Sequence, residues 1–292
     1  MKWEDLPRPI QDIAEQHVGV VVEALEVDGG SASDVATVVR GAGGERAFVK
    51  AVAGISRRMR WLRNEIAGSG AAVGVAPEVL FHADLTATEV GEDWLVVGFE
   101  FVPGRSASLA PGSPDLPVVA EVVERIAGLG AGGMRPLRDR WAPTDWWERV
   151  AGVAPEVVAD VDVEEMSRLS AEVPAMVEGD RLLHTDLHGD QFVIGAGGDV
   201  RVVDWGFPGA GARWVDTAFM ILRLIEAGHG PENAEGWARA RGTFVGVDER
   251  VLTAWAAYVA GLWTHIAVSG QGSSRRAGLA RDYVSWRLAR RS

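Results

Sequence analysis

A chain of 292 residues with no cysteine can form no disulfide, thiolate nucleophile or cysteine-ligated zinc or iron–sulfur centre, and it is long enough for one large domain or two lobes around a buried core. Its 29 basic and 41 acidic residues give a formal charge of −12, which argues against a nucleic-acid binder with a basic face. The same charge suits a cationic small molecule, and it also serves solubility with no ligand at all. The opening residues, Met1-Lys2-Trp3-Glu4-Asp5-Leu6-Pro7, lack a basic segment followed by an apolar one. No unbroken apolar run approaches the roughly 18 residues of a membrane span. The expectation is a soluble, cytoplasmic protein that engages neither membrane nor nucleic acid.

Residues 7–26 begin with a helical pattern and pass into a β-like run. The turn Val27-Asp28-Gly29-Gly30-Ser31-Ala32-Ser33-Asp34 leads to a strand over 35–40, and a second glycine turn at 41–45 leads to a strand over 46–52. Strands joined by short glycine turns predict an antiparallel meander. In the first turn, Gly29 and Gly30 let the backbone approach a phosphate, and the hydroxyls of Ser31 and Ser33 can donate to it. Taken alone, such a turn is an ordinary hairpin.

Lys50 sits inside the apolar run Ala47-Phe48-Val49-Lys50-Ala51-Val52, where a charge needs a partner. The helix predicted over 56–67 contains one acid, Glu65. Paired, the two can hold the α- and β-phosphates of a nucleotide. Unpaired, they are an edge-strand lysine with its head in water and a surface glutamate.

Strands are expected at 75–83 and from Trp94 towards Val102, the second ending in Pro103-Gly104. After Arg105 the pattern turns mainly helical, which divides the chain into an N-terminal lobe of residues 1–101 and a C-terminal lobe of residues 102–292. A connection near 99–105 suits a planar base bound through backbone groups. Helices are predicted over 116–129, 146–150, 163–177, 214–226, 234–244, 249–268 and 274–290.

Weak strands interrupt this helical part around 182–204. Asp186 follows Leu182-Leu183-His184-Thr185, Gln191 comes five residues later, and Asp204 directly follows Val200-Arg201-Val202-Val203. An acid at the end of a buried strand is held firmly and presented at the strand terminus, which suits a metal or a proton acceptor. His184 and His188 are four residues apart, but the context is strand-to-loop, so loop-bracing hydrogen bonds fit better than a shared metal.

The set Gly29-Gly30-Ser31, Lys50, Glu65, Phe99-Glu100-Phe101-Val102-Pro103-Gly104, His184-Thr185-Asp186-Leu187-His188 and Val203-Asp204-Trp205 resembles the aminoglycoside phosphotransferase and choline kinase family. The resemblance implies an α+β, two-lobed protein-kinase-like fold, with a small antiparallel-sheet N-lobe and a larger, mainly helical C-lobe. It implies a kinase that uses ATP or GTP and Mg²⁺ to phosphorylate a hydroxyl of a small acceptor, cationic ones included, such as an aminoglycoside-like antibiotic or an amino alcohol. Under it, Asp186 is the catalytic base and Asp204 holds Mg²⁺. Lys50 touches the phosphates and pairs with Glu65, and the backbone of Glu100 and Val102 meets the base. Asp216 braces the catalytic loop.

The chain departs from the pattern at Gln191, where the family usually has Asn, and at Gly189-Asp190, where it usually has Pro-Gly. Gln keeps the amide oxygen of a metal ligand and adds a methylene. That departure motivates a second reading, a catalytically weak nucleotide-binding protein acting as a sensor or binding module. A protein kinase fits less well, because no Ala-Pro-Glu segment follows Asp204 and Arg213-Trp214-Val215-Asp216 comes too soon for a long activation loop.

Overall fold

The computed structural model describes residues 1–27, 33–142 and 144–290. In chain order its elements are α1 (Arg8–Val18), β1 (Val21–Glu26), β2 (Val35–Gly41), β3 (Arg46–Ala53), α2 (Arg57–Ala71), β4 (Val79–Leu85), α3 (Ala87–Val90), β5 (Trp94–Glu100) and β6 (Arg105–Ser106). There follow α4 (Leu116–Gly128), α5 (Leu137–Trp141), α6 (Trp146–Val153), α7 (Val163–Ala171), α8 (Val173–Met176), β7 (Arg181–Leu183), β8 (Phe192–Ile194), β9 (Val200–Val202) and β10 (Gly209–Gly211). The chain ends in α9 (Val215–Glu226), α10 (Pro231–Arg239), α11 (Glu249–Val268) and α12 (Ser274–Ala289). These elements form two compact units, Met1–Ala107 with Asp190–Pro208, and Ser108–Gly189 with Gly209–Ser292.

The first unit is built on a five-stranded sheet in the order β1-β2-β3-β5-β4. Its strand pairs are all antiparallel, and β4 lies outside β5, so the meander runs only through β1, β2 and β3. Side chains alternate between the two faces of a strand. One face carries Val49, Ala51, Phe81 and Val96 and packs on Ile10, Ala14 and Val18, spaced four apart on α1. The other carries Val52, Leu95, Val97 and Phe99 and packs on Met59 and Leu62 of α2. Gly98 is fixed by this packing, since a Cβ there would lie 2.1 Å from Cε1 of the Phe81 ring.

The segment Asp190–Pro208 lies beyond the boundary expected at residue 101, yet it packs with the first unit. The reason is a second sheet, β6-β8-β9, in which Arg105 pairs with Ile194. Gly104 permits the approach, because a Cβ there would lie 2.6 Å from the Ile194 carbonyl oxygen. The Val202 N–H also donates to the Val75 carbonyl at 2.9 Å.

The second unit is mainly helical, with β7 and β10 as a two-stranded antiparallel ribbon. Its core helix is α11, buried from Leu252 to Gly261 and contacting α6, α7 and α12. Trp147 fills the notch at Gly261 and donates its indole N–H to the Ala257 carbonyl at 2.9 Å. By length and composition α11 could cross a membrane, but 61% of its most apolar window is buried inside the protein. The helix expected over 163–177 is two helices. Pro174 has no N–H to continue the first one and stands instead in the opening turn of α8. The helix expected over 234–244 begins earlier, at Pro231, ends at Arg239, and is followed by a 3₁₀ turn at Gly242–Phe244. A small antiparallel-sheet unit and a larger helical unit make the α+β architecture expected of the chain.

Candidate active site

Lys50 lies on β3, the central strand of the five, and not at an edge. It shares the α2-facing side of that strand with Phe48 and Val52. On α2, Glu65 stands three residues after the buried Leu62 and is itself buried, so it faces the sheet. The two meet: Lys50 Nζ donates to Glu65 Oε1 at 2.8 Å and to Oε2 at 3.1 Å.

Asp204 completes this cluster, with its Oδ1 2.5 Å from Lys50 Nζ. It follows β9 and adopts a left-handed backbone conformation with φ 62°. Asp tolerates that region better than most residues, and the neighbours hold it there. The fully buried Trp205 donates its indole N–H to the Val202 carbonyl at 2.8 Å. Gly68 leaves room for it, since a Cβ at 68 would lie 2.9 Å from Trp205 Cβ. Asn64 of α2 donates to the Gly206 carbonyl at 3.2 Å, pinning the far end of the loop.

Burial opposes the charge on Lys50, but the carboxylates of Glu65 and then Asp204 outweigh it and raise its pKa to about 12. The ammonium is therefore permanently charged near neutral pH. One lysine against two carboxylates leaves the cluster at −1, and Asp204, with 54% of its side chain exposed, is the member that solvent reaches. A half-exposed hard oxygen in a net-negative cluster suits Mg²⁺, which takes one or two protein ligands and completes its shell with phosphates and water. No group of three His, Cys, Asp or Glu side chains that could hold a metal gathers among the described residues.

Gln191 is buried, and its carbonyl accepts the Val203 N–H at 3.0 Å, so its backbone is tied to the residue before Asp204. Glu100 ends β5 and Val102 lies in the coil just after it. The Glu100 N–H is taken by the Glu78 carbonyl at 2.8 Å, so what Glu100 can offer a base is its carbonyl. Ser33 is partly buried just before β2, whereas Gly29, Gly30 and Ser31 lie outside the described residues.

Asp186 belongs to the second unit. Its loop leaves β7 and is braced by Asp216 in the first turn of α9, as expected. Asp216 Oδ2 accepts the His184 N–H at 2.7 Å and Oδ1 the Thr185 N–H at 2.9 Å. Burial pushes the Asp216 carboxyl above its usual range, against the pull of those two bonds. His184 braces the loop as well, its Nδ1 accepting the Asp186 N–H at 3.3 Å. Thr185 has φ 63°, a genuine outlier for a β-branched residue, and its hydroxyl accepts from Arg140 at 3.0 Å. Thr185 and Asp204 are the two described non-glycine residues with positive φ, one in each acid-bearing loop.

Sequence reasoning missed Arg223. It lies on α9 with its side chain 4% exposed and donates to Asp186 Oδ1 at 2.9 Å. The available signal was a single charge in the apolar run Phe219-Met220-Ile221-Leu222-Arg223-Leu224-Ile225.

A model of the phosphotransferase enzyme family (APH) matches residues 32–258, most of the chain and every candidate residue from Ser33 to Asp204. The chain belongs to this family. No curated protein matches its sequence. Among solved structures, this phosphotransferase is similar to a thermostable mutant of aminoglycoside phosphotransferase APH(4)-Ia, with 14% identity over 94% of this chain and 98% of the other, at a TM-score of 0.65. It is also similar to spectinomycin phosphotransferase APH(9)-Ia in complex with ADP and spectinomycin, with 10% identity over 97% and 98%, at a TM-score of 0.62. An aminoglycoside phosphotransferase from Alicyclobacillus acidocaldarius shares 14% identity over 96% and 95%, at a TM-score of 0.56. At these identities the likeness is one of fold.

Proposed function

We propose that this phosphotransferase is a small-molecule kinase that moves the γ-phosphoryl group of ATP, or GTP, to a hydroxyl of a small acceptor such as an aminoglycoside-like antibiotic or an amino alcohol. The observation that carries the reading is Lys50 bridging Glu65 and Asp204, a buried ammonium kept charged by two acids. Phosphoryl transfer asks a protein for positioning and charge neutralisation more than for covalent chemistry, and this cluster is built for both.

In this reading Lys50 binds the nucleotide phosphates while Glu65 keeps it in place. Asp204, with Gln191, holds Mg²⁺, which when bound neutralises charge on the phosphoryl oxygens. The backbone of Glu100 and Val102 receives the base, and Gly29, Gly30, Ser31 and Ser33 cover the phosphates. Asp186 orients the acceptor hydroxyl and takes its proton. The acceptor oxygen bonds to Pγ as the bond from Pγ to the β,γ-bridging oxygen breaks, and ADP leaves.

Two neighbours support an antibiotic-like acceptor: APH(9)-Ia was crystallised with ADP and spectinomycin, and a mutant of APH(4)-Ia with AMP-PNP and hygromycin B. The formal charge of −12 suits a cationic acceptor in the cytoplasm. The test is ADP release from Mg-ATP across a panel of aminoglycosides, spectinomycin and amino alcohols, with Asp186→Asn as control. Acceptor-dependent turnover that Asp186→Asn lowers by about 100-fold or more is expected. Turnover that survives this substitution would sink the assignment.

A further inference from the structure

We infer that Arg223 is a positioning residue for the catalytic base, the end of an ion-pair relay Arg276–Glu226–Arg223–Asp186 that sets the orientation of the Asp186 carboxylate. The inference rests on the kinase reading above, because it gives Arg223 a task only if Asp186 faces the acceptor hydroxyl.

Every donor nitrogen of Arg223 has a partner. Nη2 donates to Asp186 Oδ1 at 2.9 Å, Nε to the Leu187 carbonyl at 3.0 Å, and Nη1 to Glu226 Oε2 at 3.2 Å. The guanidinium lies over the Trp263 ring, 5.0 Å from its centre. A planar fork fixed on three sides and stacked on the fourth cannot swing, so it fixes what it touches. Behind it, Glu226 Oε1 accepts from Arg276 Nε at 2.8 Å, tying α9 to α12.

An arginine this buried needs a reason. Burial pulls its pKa down, and the carboxylates of Asp186 and Glu226 pull the other way. For fold stability alone, an apolar residue would serve as well or better in the otherwise apolar stretch of α9. The geometry shows what the arginine adds. It holds both the side chain of Asp186 and the backbone carbonyl of the next residue, so it sets the carboxylate relative to its own loop. It takes Oδ1, and Oδ2 has no hydrogen-bond partner among the described residues. The Asp186 side chain is 41% exposed, so Oδ2 is the oxygen presented to a hydroxyl.

The test is Mg-ATP turnover with water as acceptor, read as ADP release, for the full chain. The proteins are the wild type, Arg223→Met, Arg223→Lys, Asp186→Asn and the double variant Arg223→Met/Asp186→Asn. Met fills the arginine stem without its charge, and the expected result is a kcat about 100-fold lower with the ATP KM within about twofold, the size of a catalytic-group misplacement. Lys keeps the charge but cannot span Leu187 and Asp186 together, so it recovers activity to about tenfold below wild type. In the double variant the losses do not multiply, because a base that is absent needs no positioning. A folded Arg223→Met within threefold of wild type, or losses that multiply, would overturn the inference. Should Arg223→Met not fold, Glu226→Gln decides: a several-fold loss of kcat supports the relay and wild-type turnover refutes it. Asp186→Asn with wild-type activity would instead sink the kinase reading itself, before any Arg223 variant is considered.

Discussion

Lys50→Met tests the central cluster most directly. The substitution removes an ammonium buried between Glu65 and Asp204 and leaves two carboxylates facing each other. Glu65, with 11% of its side chain exposed, cannot regain full hydration, and breaking such a buried pair costs about 3–5 kcal/mol. Asp204 is half exposed and rehydrates, so its share is under about 1 kcal/mol. Protonation of Glu65 relieves part of the cost, which puts the expected loss at about 3 kcal/mol. For a chain of 292 residues that is a fall in Tm of roughly 5 °C.

The pH dependence has a definite sign. The pKa of Lys50 is raised from 10.5 to about 12, so its contribution is fully present below pH 10.5 and is lost as the pH rises through 12. Urea unfolding should therefore show a gap between wild type and Lys50→Met that does not narrow from pH 7 to pH 10, and that widens as Glu65 in the variant loses the proton that relieves it. Lys50→Met/Glu65→Leu should recover to within about 1 kcal/mol of wild-type stability, since an apolar pair replaces the ionic one, yet bind ATP no better than Lys50→Met. A single variant that costs less than about 1 kcal/mol, or a double variant no more stable than the single one, would refute the picture of a desolvated, partner-dependent lysine.

Other outcomes follow from the same geometry. Asp216→Asn leaves one acceptor oxygen for the N–H groups of His184 and Thr185, so thermal unfolding should show a loss of about 1–3 kcal/mol. Gly98→Ala drives a methyl into the Phe81 ring and should cost about 1–3 kcal/mol, of which Phe81→Leu in the same chain restores part. Chelation with EDTA should abolish Mg-ATP turnover and excess Mg²⁺ should restore it, while Asp204→Asn lowers turnover about 100-fold and raises the Mg²⁺ concentration needed.

Much of the first unit could be read from the sequence because its signals are local. Lys50 alternates with Val49 and Ala51, and Glu65 is three residues from Leu62, so strand and helix periodicity alone turn the two towards each other. The glycine turns marked the strand ends in the same way. What could not be read depends on long-range packing. Asp190–Pro208 joins the first unit through Arg105 pairing with Ile194, a contact across 89 positions (194 − 105) that no window of sequence reveals. Arg223 meets Asp186 from 37 positions away, and the apolar periodicity of α9 hid it, because a buried arginine keeps the helical pattern of its neighbours. Pro174 was visible, but its effect on the helix over 163–177 needed the observation that the chain restarts a helix within two residues.

Because Lys50 already rests on Asp204, the bare protein is its own counter-ion there. In the proposed reading, a free divalent cation arriving alone would have to compete with an ammonium for Asp204 Oδ1. A cation arriving with a polyphosphate would, in the same reading, meet no such contest, because the phosphates would compete for the ammonium and leave the carboxylate free for the metal. On that reading the chain should take up Mg²⁺ more weakly alone than together with a nucleotide, a difference traced to a single contact.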